Sequence, residues 1–197
     1  MILHGTDISG HTQRVACLLS MLGLPYELRP GGPDVRATPA FGELNPWRQI
    51  PVLQDGELLL VDSHAILVYL ARRYDPTDRW LPTDPVGMAN VQRWLSVSAG
   101  ELANGPAKAR AALMFGRDVD LPRAQAMART LFERMDAHLA DRAWLAADHP
   151  TIADLALDGY TRAAPEGDVT LEPYPHVRAW LDRVAALPGY VRLPPVR

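Results

Sequence analysis

One cysteine, Cys17, stands in 197 residues. That excludes an intrachain disulfide and a thiolate-rich zinc site, and it fits a reducing compartment. The formal net charge is only −3, so the broad positive excess that drives binding to nucleic acid or anionic membranes is missing. No apolar run approaches the roughly 18–20 residues needed to span a bilayer. The opening "MILHGTDISG" has no basic segment leading into a long apolar one, unlike a secretory signal. A cytoplasmic protein with no nucleic-acid or membrane partner is the expectation. Glycine-rich phosphate motifs are also missing, since "GTDISG" has neither the Walker nor the dinucleotide spacing. The histidines at 4, 11, 64, 138, 149 and 176 show no metal-ligand spacing, and no metal is expected.

What is present is ordinary globular material, 48% hydrophobic and 22% charged, enough for one domain or two small ones. Residues 1–4 suit a strand. Val15, Leu18, Leu19 and Leu22 then fall on one helix face, with Gly23 and Pro25 as the stop. Residues 26–29 suit a second strand, and strand–helix–strand over so short a span predicts a parallel pair. Residues 30–46 are loose and rich in Gly and Pro, with a short helix expected near Pro39–Leu44. In "PVLQDGELLLV" the Asp55-Gly56 pair between apolar runs predicts a hairpin. Ile66, Tyr69, Leu70 and Arg73 mark the next helix, with Asp62 or Ser63 at its cap.

The stretch "DPTDRWLPTDP" holds three prolines and three aspartates in eleven residues and reads as a linker. No strand pattern follows it. Helices are expected around Trp94, Leu95 and Leu102, over Leu121–Leu139, over 151–162 and over 176–187. The fold class is therefore an α/β N-terminal domain (βαβ-α-ββα) followed by an all-α domain. The divisions fall at 1–75, a linker at 76–85, and 86–197.

Three places could carry chemistry. Pro51 opens an apolar strand. Only about 5–6% of X-Pro bonds are cis in folded proteins, so a trans bond is the local expectation. A cis bond would leave the Ile50 N–H and C=O free at the sheet edge for an extended ligand. Asp62-Ser63 precedes an apolar helix. A plain cap accounts for it, and the same groups could also hold a carboxylate and an ammonium. Ser9 precedes the first helix without the G-x-S-x-G pattern of a hydrolase nucleophile. Its hydroxyl, at a positive helix end, favours an anion such as a thiolate. Cys17 lies among apolar helix positions and reads as a buried, inert thiol. "TIAD" (151–154) has the shape of a capping box and reads as a folding signal.

Taken in series, "SGHTQRV", "LNPWRQIPVL", "DSHAILVYL", "TIADLALDGYTR" and "YPHVRAWLDRVAALPGYV" resemble the cytosolic glutathione transferase family over nearly the whole chain. The resemblance is to bacterial, serine-type members akin to the theta and phi classes. It implies a thioredoxin-like N-terminal domain, an all-helical C-terminal domain and a homodimer. It matches Pro51 to the family's cis-proline, which reverses the local expectation, and Ile50 to the backbone that pairs with the cysteinyl part of glutathione. Asp62 and Ser63 match the pair that holds the γ-glutamyl end, and Ser9 matches the thiolate-stabilising serine.

Departures are equally specific. No tyrosine precedes Tyr26, and Gly10 stands where the beta class has cysteine. Ala37 falls near the family's lysine for the glycyl carboxylate, leaving Gln49, Arg48 and Arg36 as substitutes. Glu101 falls near an acidic residue that some relatives supply from the partner subunit.

The function implied is cytoplasmic, detoxifying transfer of glutathione, as co-substrate, to a small hydrophobic electrophile. Ser9 would be the catalytic hydroxyl. Gln49, Ile50, Pro51, Asp62 and Ser63 would bind glutathione, and Asn104 and Arg110 would line the second pocket. Glutathione-dependent isomerisation, dehalogenation or peroxide reduction on the same scaffold remain open. So does a non-enzymatic binding module like the stringent starvation proteins.

Overall fold

Leu3 and Leu53 face each other across an antiparallel ladder, both fully buried, at the centre of a four-stranded mixed sheet. The computed structural model describes residues 1–196. Its strands are β1 (Ile2–Gly5), β2 (Glu27–Pro30), β3 (Val52–Asp55) and β4 (Leu58–Val61), in the order β2-β1-β3-β4. β1 and β2 are parallel, joined by helix α1 (Gly10–Met21), as the short strand–helix–strand spacing predicts. β3 and β4 form the hairpin turned at Gly56, whose φ of 59° suits glycine.

Val15, Leu18 and Leu19 of α1 are fully buried against the sheet, as are Ile66, Leu67 and Leu70 of α4 (Ser63–Tyr74). Each such side chain contributes about 1.5–3 kcal/mol of burial. Two short helices, α2 (Pro33–Ala37) and α3 (Pro39–Leu44), occupy the loose segment. The sequence pattern predicts only the second. Pro33 starts α2 at the one helix position where a missing N–H costs nothing.

Residues between α4 and α5 (Pro85–Val97) are fastened despite their linker composition. Asp75 accepts from the N–H groups of Thr77 and Trp80, and Arg72 donates to the carbonyls of Leu81 and Pro82. Among the described residues every regular element from there onward is a helix. After α5 the helix widens to π pairing over Ser98–Ala107 and resumes as α6 (Lys108–Phe115). Pro106 cannot donate to the ladder, and Gly105 lies so close to the neighbouring helix that a Cβ would sit 2.9 Å from the Ala128 nitrogen.

α7 (Leu121–Leu139), α8 (Ile152–Arg162), a single 3₁₀ turn (Ala164–Gly167) and α9 (Pro175–Ala185) complete the fold. α8 begins with a full capping box between Thr151 and Asp154. The Asp154 carboxylate, fully buried, also accepts from the Leu145 N–H and the Trp180 indole. Among the described residues no helix is long and apolar enough to cross a membrane.

The sheet and the helical part meet at α1 and α8. Gln13 donates to the Asp158 carboxylate at 3.3 Å and to the Val191 carbonyl at 2.9 Å. The Cys17 thiol lies in the same seam, 3.2 Å from the Val191 carbonyl, and burial pushes it up to about 12. At that value it is a thiol throughout the neutral range, as an inert core cysteine should be.

Candidate active site

A cleft of about 310 Å³ opens where α1 and α4 begin and the loop before β3 passes between them. Ser9, Gln49, Ile50, Pro51, Asp62 and Ser63 line it together. Two further residues, His11 and Arg36, share it.

Ser9 is the cap of α1. Its Oγ accepts from the Thr12 N–H at 3.4 Å and its own N–H donates to the Thr6 carbonyl at 3.2 Å. A hydroxyl that accepts at a cap keeps its proton to give elsewhere. The proton therefore remains available at the positive end of a twelve-residue helix.

The Ile50–Pro51 peptide is cis, where local frequencies favour trans. Bonds from outside the dipeptide hold the preceding loop. Asn45, 2% exposed, donates to the Gln49 carbonyl and accepts from the Trp47 N–H. Ile50 lies just ahead of β3 and, among the described residues, outside both of its ladders.

Asp62 caps α4 through Oδ1, which accepts from the N–H groups of His64 and Ala65 at 2.9 and 3.1 Å. Among the described residues its other oxygen accepts no hydrogen bond, and 66% of the side chain is exposed. Beneath Ser63 lies Arg14, a guanidinium only 1% exposed, 3.3 Å from Ser63 Oγ and 2.6 Å from His64 Nε2. Burial brings Arg14 down to about 10, which leaves it charged at neutral pH. Burial, then the Arg14 charge, pushes His64 down to about 4. Burial, Arg14 and His64 together push His11 down to about 3. His11 Nδ1 is 3.4 Å from Ser63 Oγ, and its ring stands edge-on to Tyr160 at 5.0 Å. Both imidazoles are neutral polar groups beside one buried positive charge.

Of the three substitutes for the missing lysine, Arg36 and Gln49 line the cleft. The Arg48 guanidinium donates instead to the carbonyls of Arg36 and Thr38 at 2.6 and 2.8 Å. Gly10 is packed against Tyr160, and a Cβ there would stand 3.0 Å from the ring, so any larger residue requires the ring to shift. Asn104 and Arg110 do not line the cleft. Asn104 donates to the Gly100 carbonyl and borders a separate hollow with Lys108 and Asp118. Arg110 is 2% exposed, ion-paired to Glu166 at 2.6 Å and donating to the Ile8 carbonyl at 2.8 Å. Glu101 borders an apolar groove between α5 and α7.

Arg14 and His11 lie inside the quoted "SGHTQRV" stretch, but sequence reasoning assigns neither a role. Arg14 nonetheless sits one turn before Leu18 on the buried face of α1, and a charge in that position is itself a signal.

Comparisons with known proteins agree along the chain. The family model for the glutathione S-transferase N-terminal domain matches residues 3–78, and that for the C-terminal domain matches residues 116–188. Glutathione S-transferase 3 of Zea mays is 32% identical over 200 residues, covering 95% of this chain and 90% of its own. Glutathione S-transferase theta-1 of Bos taurus is 31% identical over 182 residues, covering 85% and 75%. A glutathione S-transferase structure from Xanthobacter autotrophicus superposes with a TM-score of 0.87 at 33% identity, covering 98% and 97%. A glutathione transferase homologue from Drosophila mojavensis, solved with bound glutathione, gives 0.85 at 27%, covering 96% and 89%. With a thioredoxin-like sheet domain, a helical domain behind it and relatives spanning both, the chain belongs to the glutathione S-transferase family.

Proposed function

We propose that this glutathione transferase binds its co-substrate in the cleft between α1 and α4 and activates the thiol through Ser9. One observation carries the reading. Ser9, Ile50-Pro51 and Asp62-Ser63, far apart in sequence, converge on a single small cleft at two helix N-termini. The Ile50 backbone would pair with the cysteinyl part of glutathione. Ser63 would donate to the γ-glutamyl carboxylate, above the buried Arg14 charge, and the free oxygen of Asp62 would accept from its ammonium. Arg36, with Gln49, would meet the glycyl carboxylate.

A free thiol has a reference pKa of about 8.5. A hydrogen bond from Ser9 and the field of α1 both favour the thiolate over the thiol. The thiolate then attacks an electrophilic carbon. A sulfur–carbon bond forms, and the electron pair leaves with the displaced group or, in an addition, moves to the neighbouring atom, which takes up a proton. Residues 1–75 would serve glutathione and residues 86–197 the small hydrophobic electrophile.

The class we propose is the serine type akin to theta and phi, in a bacterial, cytoplasmic setting. Ser9, the absence of a tyrosine before Tyr26, and theta and bacterial proteins among the relatives support it. A homodimer is part of the same reading. Trp47 is 79% exposed and Val86 70% exposed, apolar surface that a second copy would cover. The test is retention on immobilised glutathione followed by conjugation of chlorodinitrobenzene, with Ser9→Ala beside the parent protein. Losing the hydrogen bond should raise the thiol pKa of bound glutathione by about one unit or more. An unchanged pH–rate profile in Ser9→Ala would remove Ser9 from the mechanism.

A further inference from the structure

The peptide joining Ile8 to Ser9 is gripped at both ends. Its N–H, on Ser9, donates to the Thr6 carbonyl at 3.2 Å, within its own loop. Its carbonyl, on Ile8, accepts at 2.8 Å from Nη1 of Arg110, which lies on α6 in the helical part of the chain. Arg110 is held in turn. Its Nε donates to Glu166 at 2.6 Å, and the other oxygen of Glu166 accepts from the Val196 N–H at 3.3 Å. The turn that carries Glu166 is pressed onto α6, since a Cβ on Gly167 would lie 2.7 Å from the Arg110 backbone nitrogen. The side chain of Arg110 is 3% exposed and that of Glu166 is 20% exposed.

Such a pair adds little net stability once desolvation is counted. What it adds is direction. A guanidinium presents its donors in a rigid planar fork, and charge-assisted bonds are short and strong. The fork spans from the turn behind α6 to the loop bearing Ser9.

We propose that Arg110, anchored by Glu166, is a positioning residue that fixes the Ile8–Ser9 peptide and thereby the direction in which Ser9 presents its hydroxyl. The inference rests on the reading of Ser9 as the donor to the glutathione sulfur. It assigns to the helical part of the chain a share in activating the thiol. A hydrogen bond weakens steeply as its angle falls toward about 120°, so a peptide free to rock would leave Ser9 poorly aimed. Glutathione affinity should change little, because Ile50, Asp62 and Ser63 lie elsewhere in the cleft.

Two measurements on the full chain test this. Hydrogen exchange over residues 5–13, which needs no ligand, is compared in the parent protein, Arg110→Met and Arg110→Lys. The double variant Arg110→Met/Glu166→Gln guards against misfolding caused by an unpaired carboxylate. Arg110→Met should speed exchange at Ser9 by about tenfold, leave α7 unchanged, and be partly rescued by lysine. The thiolate of bound glutathione is then titrated by its ultraviolet absorbance. Arg110→Met should raise its pKa by about half a unit with KM for glutathione held within about twofold, and should have no further effect when Ser9 is already alanine.

Unchanged exchange overturns the proposal, and so does an equal pKa shift in the Ser9→Ala background. If the parent protein fails to bind glutathione, the functional reading falls while the exchange arm still decides whether Arg110 holds the loop.

Discussion

Arg14 Nη1 and His64 Nε2 lie 2.6 Å apart, and only the guanidinium can be the donor. His64 therefore carries its proton on Nδ1, which is 4.0 Å from Asp62 Oδ1. Arg14 is left as a buried charge whose two partners, Ser63 Oγ and His64 Nε2, are both neutral, and its Nε has none among the described residues. Asp62 acts on this charge only from a distance. A buried ion with no carboxylate in contact is costly, and a carboxylate placed over Ser63 would offset it. Arg14→Met should raise KM for glutathione about tenfold or more while affecting kcat less, the mark of lost ground-state binding. It should also let His64 titrate somewhat above its present value of about 4, since the competing cation is gone while burial, the larger cause, remains. Steady-state kinetics and an NMR titration of the His64 ring check both halves. An unchanged KM would mean that the Arg14 charge is not felt in the cleft.

The same histidines predict how stability responds to acid. In the unfolded chain both rings titrate near 6.5. Folded, His64 resists protonation to about 4 and His11 to about 3. Below pH 6.5 the unfolded chain therefore binds protons that the folded chain refuses. Their contribution to stability is complete above that pH and is lost as pH falls from 6.5 toward 4 and 3, at up to about 1.4 kcal/mol per pH unit for each ring. The buried carboxyls of Asp154 and Asp158 are pushed up by burial and act in the opposite sense, so the variants, not the bare curve, isolate the histidine part. His11→Gln and His64→Gln should each flatten the loss of stability between pH 6.5 and about 4.5 in urea titrations. Slopes equal to the parent protein's would show that the rings do not differ between folded and unfolded states.

Local patterns carry much of the architecture. Asp55-Gly56 announces its hairpin, and Val15, Leu18 and Leu19 announce α1, because turn chemistry and helix periodicity are properties of neighbours in sequence. What local pattern misreads depends on distant contacts. The Ile50–Pro51 bond is set within a loop held by Asn45, so residue-pair frequencies mislead, and the family resemblance supplies the right isomer. The π widening carries Gly105 against Ala128 across a helix interface, a contact between residues far apart in sequence. Arg110 reads from sequence as lining a pocket, but it is buried against Glu166, 56 residues later, and Ile8, 102 residues earlier. His11 carries no sequence signal beyond the absence of metal-ligand spacing, and its place in the cleft follows from the first turn of α1 abutting α4.

Gly10 gives a packing test next to the site. Alanine there would place its Cβ 3.0 Å from two carbons of the Tyr160 ring, in an interface between α1 and α8. Alanine is worth about 0.5–1 kcal/mol more than glycine inside a helix, while overpacking costs about 1–3 kcal/mol, so the clash outweighs the gain. Gly10→Ala should lower stability by about 1 kcal/mol, and a double-mutant cycle with Tyr160→Ala should lose less than the sum of its parts. Additive losses in chemical denaturation would mean that the ring moves aside freely.

Asp154 separates a folding role from a catalytic one. Its fully buried carboxylate accepts from the Thr151 N–H at 2.9 Å, the Leu145 N–H at 3.0 Å and the Trp180 indole at 2.9 Å. Asp154→Ala strands these three donors and also removes the acceptor of the Thr151 hydroxyl, and each unsatisfied group costs about 1–3 kcal/mol before the structure relaxes. A total loss of about 3–5 kcal/mol is the expected result, within the range that unfolds a marginally stable domain. Asp154→Asn keeps one acceptor oxygen and turns the other position into a donor facing a donor, so it should fall between alanine and the parent. None of these contacts reaches the cleft, so any folded Asp154→Asn protein should keep the parental KM for glutathione. Stability must therefore fall in the order parent, asparagine, alanine in denaturant titrations while KM holds. A raised KM in a fully folded variant would instead tie the start of α8 to glutathione binding.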